Sequence, residues 1–210
     1  SWKQDIKRIK AAKENLGKNK IIFDAIMGTH KKIWNYDQAL KKIRILKRFD
    51  PLWIEEPLHP DDINGYLKLK KLKKINIAFG EAYSGRLEYD LIINNKLSKF
   101  LQFDVTSSGG IIFVKDIVKK AEQKGIICVP HVWGSDLSLV ANLTLSSISN
   151  NIKYFEYPSI KLEISNFINS ESYTLKNGFI IPTDVFGMGI NISDEIKSKF
   201  KYKKINTFSL

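Results

Sequence analysis

Apolar residues along this chain come in short runs, each closed by a polar or ionisable residue and followed by a stretch with helical spacing. The runs lie at 20–24, 52–55, 77–81, 100–104, 126–131 and 154–156. They are rich in Ile, Val, Phe and Leu without polar alternation, as expected of strands covered on both faces. Amphipathic helical patterns fill the intervals at 36–49, 63–73, 86–94, 113–124 and 137–149, and another at about 4–16 precedes the first run. Strand and helix therefore alternate in units of roughly 25–30 residues, the signature of βαβ crossovers and a parallel sheet. After Glu156 the pattern dissolves over 157–192 into turns and short strands, including Tyr173-Thr174-Leu175, Gly178-Phe179-Ile180-Ile181-Pro182 and Gly187-Met188-Gly189.

Each run ends in an ionisable residue: Asp24, Glu55, Glu81, Asp104, His131 and Glu156. In a closed barrel the C-terminal ends of all strands converge on one mouth, so these six are expected to meet. Taken singly, each has an ordinary reading. Asp24 could cap a helix, Glu55 or Glu56 could be a loop acid before Pro57, and His131 could be a satisfied turn histidine. As a set they point to chemistry. Three carboxylates brought together raise one another's pKa unless a cation sits among them. Oxygen-only ligation suits a hard ion such as Mg²⁺, which keeps positions open for substrate oxygens. A substrate carboxylate bound there has its α-hydrogen acidified, because the ion neutralises the enediolate that forms. His131 titrates in the useful range, Asp104 could orient its imidazole, and a protonated Glu156 could donate to the developing oxyanion.

Composition narrows the partners. At 210 residues and 43% hydrophobic, the chain can bury one core. A net charge of +12 raises a nucleic-acid or membrane surface. The lysines, however, are spread over the helical segments: Lys3, Lys7, Lys10 and Lys13; Lys41, Lys42 and Lys47; Lys115, Lys119, Lys120 and Lys124. The densest group, Lys68, Lys70, Lys71, Lys73 and Lys74, suits the wet face of a barrel helix. No nucleic-acid partner is expected, nor a membrane span, since no run of about 18 apolar residues occurs. Cys128 is the only cysteine and lies in an apolar run, so it reads as a small buried residue in a protein of a reducing, cytoplasmic compartment. The N-terminus carries no signal-peptide pattern and no Met, which suggests a start within a longer protein.

The chain resembles the enolase superfamily, specifically its mandelate racemase/muconate lactonizing enzyme branch. The resemblance rests on Phe23-Asp24-Ala25, Trp53-Ile54-Glu55-Glu56-Pro57-Leu58, Ala78-Phe79-Gly80-Glu81, Gln102-Phe103-Asp104 with Ser108-Gly109-Gly110, Val129-Pro130-His131 and Phe155-Glu156, in family order over nearly the whole chain. It implies a TIM-type (β/α)7β barrel, here incomplete at about strands 3 to 8. Residues 1–166 would be the partial barrel carrying the active site, and residues 167–210 a C-terminal segment packing on the barrel or on a capping domain. It implies Asp24, Glu55 and Glu81 as Mg²⁺ ligands, Asp104 and His131 as the acid/base dyad, Glu156 as the electrophilic carboxyl and Glu56 as a structural partner. The stretch 181–189 is similar to the family's closing segment, with Phe186 where proline is usual. The family's Lys-x-Lys strand and its α+β capping domain would fall before Ser1.

The loop Ile26-Met27-Gly28-Thr29-His30 and the segment His131-Val132-Trp133-Gly134 resemble those of acid-sugar dehydratases and related cycloisomerases. His30 could reach substrate from that loop or remain an exposed loop histidine. The expected function is a Mg²⁺-dependent lyase that dehydrates an aldonate or aldarate by α-proton abstraction and β-elimination. Alternatives are a cycloisomerase or a racemase/epimerase on the same scaffold, and a truncated barrel inactive by itself. The resemblance further implies a homo-oligomer for the full-length protein.

Overall fold

The computed structural model describes residues 1–72, 75–160, 162–166 and 169–201; Lys73 and Lys74 of the basic cluster lie outside them. Helix α1 (Trp2–Asn15) is followed by β1 (Phe23–Asp24), α2 (Tyr36–Leu46), β2 (Ile54–Glu55), α3 (Ile63–Lys70) and β3 (Ile77–Phe79). Then come α4 (Arg86–Asn95), β4 (Phe100–Phe103), α5 (Gly110–Gln123), β5 (Ile127–Pro130) and α6 (Asp136–Ser146). The five strands make one sheet in the order β1-β2-β3-β4-β5, every pair parallel. Helices α2, α3 and α6 begin where short polar side chains satisfy free N–H groups, whereas α4 and α5 begin at Gly85 and Gly109. Asn35 accepts from the amide of Gln38 at 3.0 Å and Asp62 from that of Gly65 at 2.8 Å.

Period-two burial divides the sheet into two apolar layers. Phe23, Ile54, Ile77, Phe79, Leu101, Phe103 and Cys128 face outward and pack with the helices in the main core. Trp53, Ala78, Phe100 and Val129 face the other way and form a smaller inner cluster. That inner layer shows how far the sheet curls. Trp53, which leads into β2, lies 5.8 Å ring to ring from Tyr154, beyond β5. Four strand spacings in a flat sheet would separate these positions by about 19 Å. The sheet is thus the wall of a barrel, and its inner face is concave.

The sixth expected strand, 154–156, does not form. A single parallel bridge joins Ile152 to Cys128, whose amide donates to the carbonyl of Asn151 at 3.2 Å. Two residues further along the same edge stands Pro130, which has no N–H to continue the ladder. Beyond the bridge Tyr154 packs its ring against Trp53 and Phe100.

After α6, strand β6 (Asn169–Ser170) pairs antiparallel with β9 (Ile190–Asn191), and β7 (Tyr173–Lys176) pairs with β8 (Phe179–Pro182). Tyr173, Ile180 and Ile190 pack on Val132, Leu139 and Val140 at the start of α6. A last helix, α7 (Asp194–Lys199), was not among the expected elements. Its signals are local: Ser193 accepts from the amide of Ile196, Asp194 and Glu195 fill the first turn, and Lys197 and Lys199 the last. The helix lysines face solvent as expected, Lys3, Lys7, Lys41, Lys68, Lys115 and Lys119 among them. Among the described residues no helix is long and apolar enough to cross a membrane.

The outer core should be sensitive to single truncations. Tyr66 is fully buried, stacks on Phe79 at 3.8 Å and donates its hydroxyl to the carbonyl of Leu58 at 2.9 Å. Tyr66→Ala should lower the urea unfolding free energy by about 3–5 kcal/mol, whereas Leu87→Ala, at a position 85% exposed, should change it by less than about 0.5 kcal/mol.

Candidate active site at the C-terminal edge of the sheet

The inner layer of apolar residues ends one step short of the sheet's C-terminal edge, and the next inward positions are polar. Glu55 stands two residues after Trp53, Gln102 two after Phe100, Asp104 two after that, and His131 two after Val129. On β3 the corresponding position is Gly80, where a Cβ would lie 2.3 Å from the carbonyl oxygen of Gln102, so only glycine fits. Its φ of +136° turns the chain and Glu81 follows. Strands β1 and β2 also leave through left-handed residues, Ile26 at φ +49° and Glu56 at φ +36°. Such conformations cost about 1–3 kcal/mol each and concentrate at functional sites.

The curl brings residues from distant strands into contact. His131 Nδ1 lies 3.2 Å from Asp104 Oδ2, and Nε2 lies 3.6 Å from Glu81 Oε2. Asp104 Oδ1 receives the backbone N–H of Thr106 at 2.9 Å, the Thr106 hydroxyl at 2.7 Å and the Asn142 side-chain amide at 3.0 Å. Glu156 Oε2 accepts from the amide of Val132 at 2.7 Å, and Asp24 Oδ1 from that of Ile26 at 2.8 Å. Glu55 Oε2 receives the indole N–H of Trp53 at 2.9 Å, and Gln102 and Glu81 lie beside its carboxyl. All six expected side chains therefore lie at one edge of the sheet.

Three supporting groups escaped the sequence reading. Trp53 was visible in principle, since two residues before Glu55 on a strand is the same face. Thr106 lies within a turn of Asp104, but Asn142 is 38 residues away and nothing local announces it.

The electrostatics follow from burying like charges. Burial pushes the Glu55 carboxyl up to about 7, with Asp24 and Glu81 adding to the rise against the Trp53 and Gln102 hydrogen bonds. Burial likewise lifts Glu56 to about 7, reinforced by Glu81, Asp24 and Glu55. Asp24, Glu81 and Glu156 are raised for the same first reason, partly relieved by Ile26 N–H, His131 and Val132 N–H respectively. Asp104 goes the other way: burial would raise it, but hydrogen bonds from His131, Thr106 and Asn142 outweigh burial and hold it low. For His131 burial disfavours the cation, yet Asp104, Glu81 and Glu156 more than compensate and lift it to about 9.

Carboxyls on three adjacent strands offer the oxygen donors a hard cation takes. Among the described residues, though, no three His, Cys, Asp or Glu side chains converge closely enough to hold one ion as oriented. Glu55 is turned to Trp53 and Gln102, and Asp24 to its own loop. For one ion to touch Asp24, Glu55 and Glu81 together, these side chains must swing toward a common point.

Glu56 is 2% exposed and its Oε1 has no partner among the described residues; its carbonyl accepts from the Met27 amide at 3.2 Å, tying the loop after β1 to the end of β2. Met27 is buried and its sulfur accepts from the Trp34 amide at 3.3 Å, while Trp133 is largely exposed. His30 turns to its own loop, its Nδ1 accepting from Lys32 N–H at 3.0 Å. With Asp24, Met27 and Trp34 it lines a cleft of about 830 Å³ along the free edge of β1.

Comparison with known proteins places this geometry. Residues 1–196 match the family model described as enolase C-terminal domain-like. The chain is 28% identical over 204 residues to an arabinonate dehydratase of Saccharolobus solfataricus, covering 97% of this chain and 53% of that protein. It is 27% identical to an L-talarate/galactarate dehydratase of Salmonella typhimurium, over 92% of this chain and 46% of that protein. Among solved structures, a variant of L-talarate/galactarate dehydratase liganded with Mg and L-glucarate superposes with a TM-score of 0.79 at 27% identity, covering 93% of this chain and 46% of that one. The 3,6-anhydro-D-galactonate cycloisomerase of Zobellia galactanivorans shares the fold with a TM-score of 0.84 at 24% identity, over 93% and 55%. The chain spans about half the length of these relatives.

The crowding has a pH signature. With a folded pKa of about 7 against 4.5, Glu55 keeps a proton that the unfolded chain releases, so it erodes stability as pH rises from about 4.5 to about 7. His131, raised to about 9 from 6.5, contributes stability that is complete below pH 6.5 and lost as pH climbs through 9. In metal-free buffer Glu55→Gln should therefore raise the urea midpoint at pH 8, by about 2 kcal/mol in free energy, and leave it nearly unchanged at pH 4.5. An equal effect at both values would show that Glu55 does not titrate in this window.

Proposed function

Because the chain belongs to the enolase C-terminal domain-like family, we propose that it is the barrel part of a Mg²⁺-dependent sugar-acid dehydratase. Residues 1–166 would be the partial barrel that carries the active site, and residues 167–210 a C-terminal segment that would pack on the barrel or on a capping domain. The observation that carries the reading is His131, held between Asp104 at 3.2 Å and Glu81 at 3.6 Å, with Glu156 near enough to act on the same ring. The substrate class follows the relatives named arabinonate and L-talarate/galactarate dehydratase.

Asp24, Glu55 and Glu81 are the residues that would hold the ion. A bound Mg²⁺ would supply positive charge for the substrate carboxylate, making its α-proton more acidic. Asp104, kept ionised by its hydrogen bonds, accepts from His131 Nδ1 and leaves Nε2 facing the mouth. If Glu81 held the ion it would support the imidazolium less, which would lower the His131 pKa from its raised value while Asp104 still orients the ring. Nε2 then takes the α-proton and returns it to the departing β-hydroxyl, which leaves as water. The remaining enol tautomerises to a 2-keto-3-deoxy acid. Glu156, raised by burial and with Oε2 already accepting from Val132, has its other oxygen available to donate to the developing oxyanion.

The complete protein should convert at least one member of a panel of aldonic and aldaric acids to a keto acid in a Mg²⁺-dependent reaction, and His131→Asn should lower kcat by about 10³-fold or more. Silence across the panel with turnover of a lactone would transfer the reading to a cycloisomerase. Mg²⁺ at a hundred times its Kd should stabilise the folded protein by about 2.7 kcal/mol. Asp24→Asn and Glu55→Gln should each abolish most of that gain in a thermal-shift titration, whereas an unchanged gain would remove those two residues from the ligand set.

A further inference from the structure

Asn142 lies on α6, fully buried, with both amide N–H groups and its oxygen hydrogen-bonded. Oδ1 accepts the backbone N–H of Val105 at 3.0 Å, and Nδ2 donates to Asp104 Oδ1 at 3.0 Å and to the Ser138 carbonyl at 3.1 Å. The Val105 contact fixes the amide's orientation: flipped, it would set N–H against N–H and aim its oxygen at a carboxylate. Thr106 adds two more donors to the same oxygen of Asp104. One carboxylate oxygen is thus held by three donors from two residues, and among the described residues the other receives only His131.

We infer that Asn142, aided by Thr106, is a positioning residue for His131: by committing Oδ1 of Asp104 it fixes Oδ2 as the single partner of the imidazole Nδ1. Turning the carboxylate away would break three hydrogen bonds at a buried position, where unpaired polar groups are costly. The imidazole is thereby pinned with Nε2 toward Glu81. The platform is rigid, because α6 is capped by Ser135 and buries Leu139, Val140, Leu143 and Leu145. A merely structural asparagine would satisfy Val105 N–H without affecting the ring, and the two roles separate experimentally.

The inference deepens the proposed function and rests on it only for the catalytic consequence, so its first readout needs no turnover. The chain has three histidines, and the His131 ring signals can be assigned in ¹⁵N-labelled protein with His131→Asn. Thr106→Val removes one donor at an exposed residue, and Asn142→Leu removes another within the core. Each should accelerate solvent exchange of the His131 Nδ1 proton about tenfold or more, with His30 and His59 unaffected. Unchanged exchange in the folded variants overturns the inference; if Asn142→Leu does not fold, Thr106→Val decides alone. In the complete enzyme the same substitutions should lower kcat about 10- to 100-fold with KM little changed. An inactive wild-type protein would count against the dehydratase reading and leave the exchange result standing.

Discussion

The structure depends on how six carboxyls and one imidazole share a small, partly dry mouth. Like charges at a few ångström repel by several kcal/mol where the effective dielectric is low, so Glu55, Glu56, Glu81, Asp24 and Glu156 cannot all be ionised without a counter-charge. His131 supplies one positive charge, and its rise to about 9 measures how strongly the carboxylates hold it. Only Asp104 stays low, because three donors secure it. The remaining acids are relieved by protons or by a cation, and this choice couples folding, pH and metal in one place.

Backbone geometry produces the crowding. The inner layer of Trp53, Ala78, Phe100 and Val129 lines the curled sheet, in which His131 at the end of β5 lies 3.2 Å from Asp104 after β4 and 3.6 Å from Glu81 after β3. Small backbone features then aim the tips. Gly80 lets β3 pass against the carbonyl of Gln102, and the left-handed Ile26 and Glu56 turn β1 and β2 outward after their acids. Pro130 ends pairing on the far side of β5, and the chain carrying Glu156 reaches the mouth as an irregular segment anchored to Val132 N–H.

Much of this was legible in the sequence for a physical reason. Strands buried on both faces read as apolar runs, and five such runs became β1 to β5, each with its ionisable residue at the C-terminal edge. The sixth run misled, because apolar content says nothing about whether the neighbouring edge can donate, and Pro130 cannot. Helix α7 went unread although Ser193 and its flanking charges spell out a cap. The side-chain orientations were beyond the sequence: that Glu55 turns to Trp53 rather than toward Asp24 depends on packing across four strands. Asn142 was equally hidden, since a contact across 38 residues leaves no local pattern. The family resemblance and the matched model agree on the fold, while the roles within the site stand on geometry and charge.

The most direct test of the central claim is calorimetric titration of the metal-free chain with Mg²⁺ in buffers of different ionisation enthalpy. If one cation gathers the raised carboxyls, binding near pH 6 should release about one proton or more per ion, because groups with pKa near 7 must ionise to ligate, and release should be smaller near pH 9, where those carboxyls are already ionised. Absence of binding, or binding with no proton release at either pH, would contradict the account.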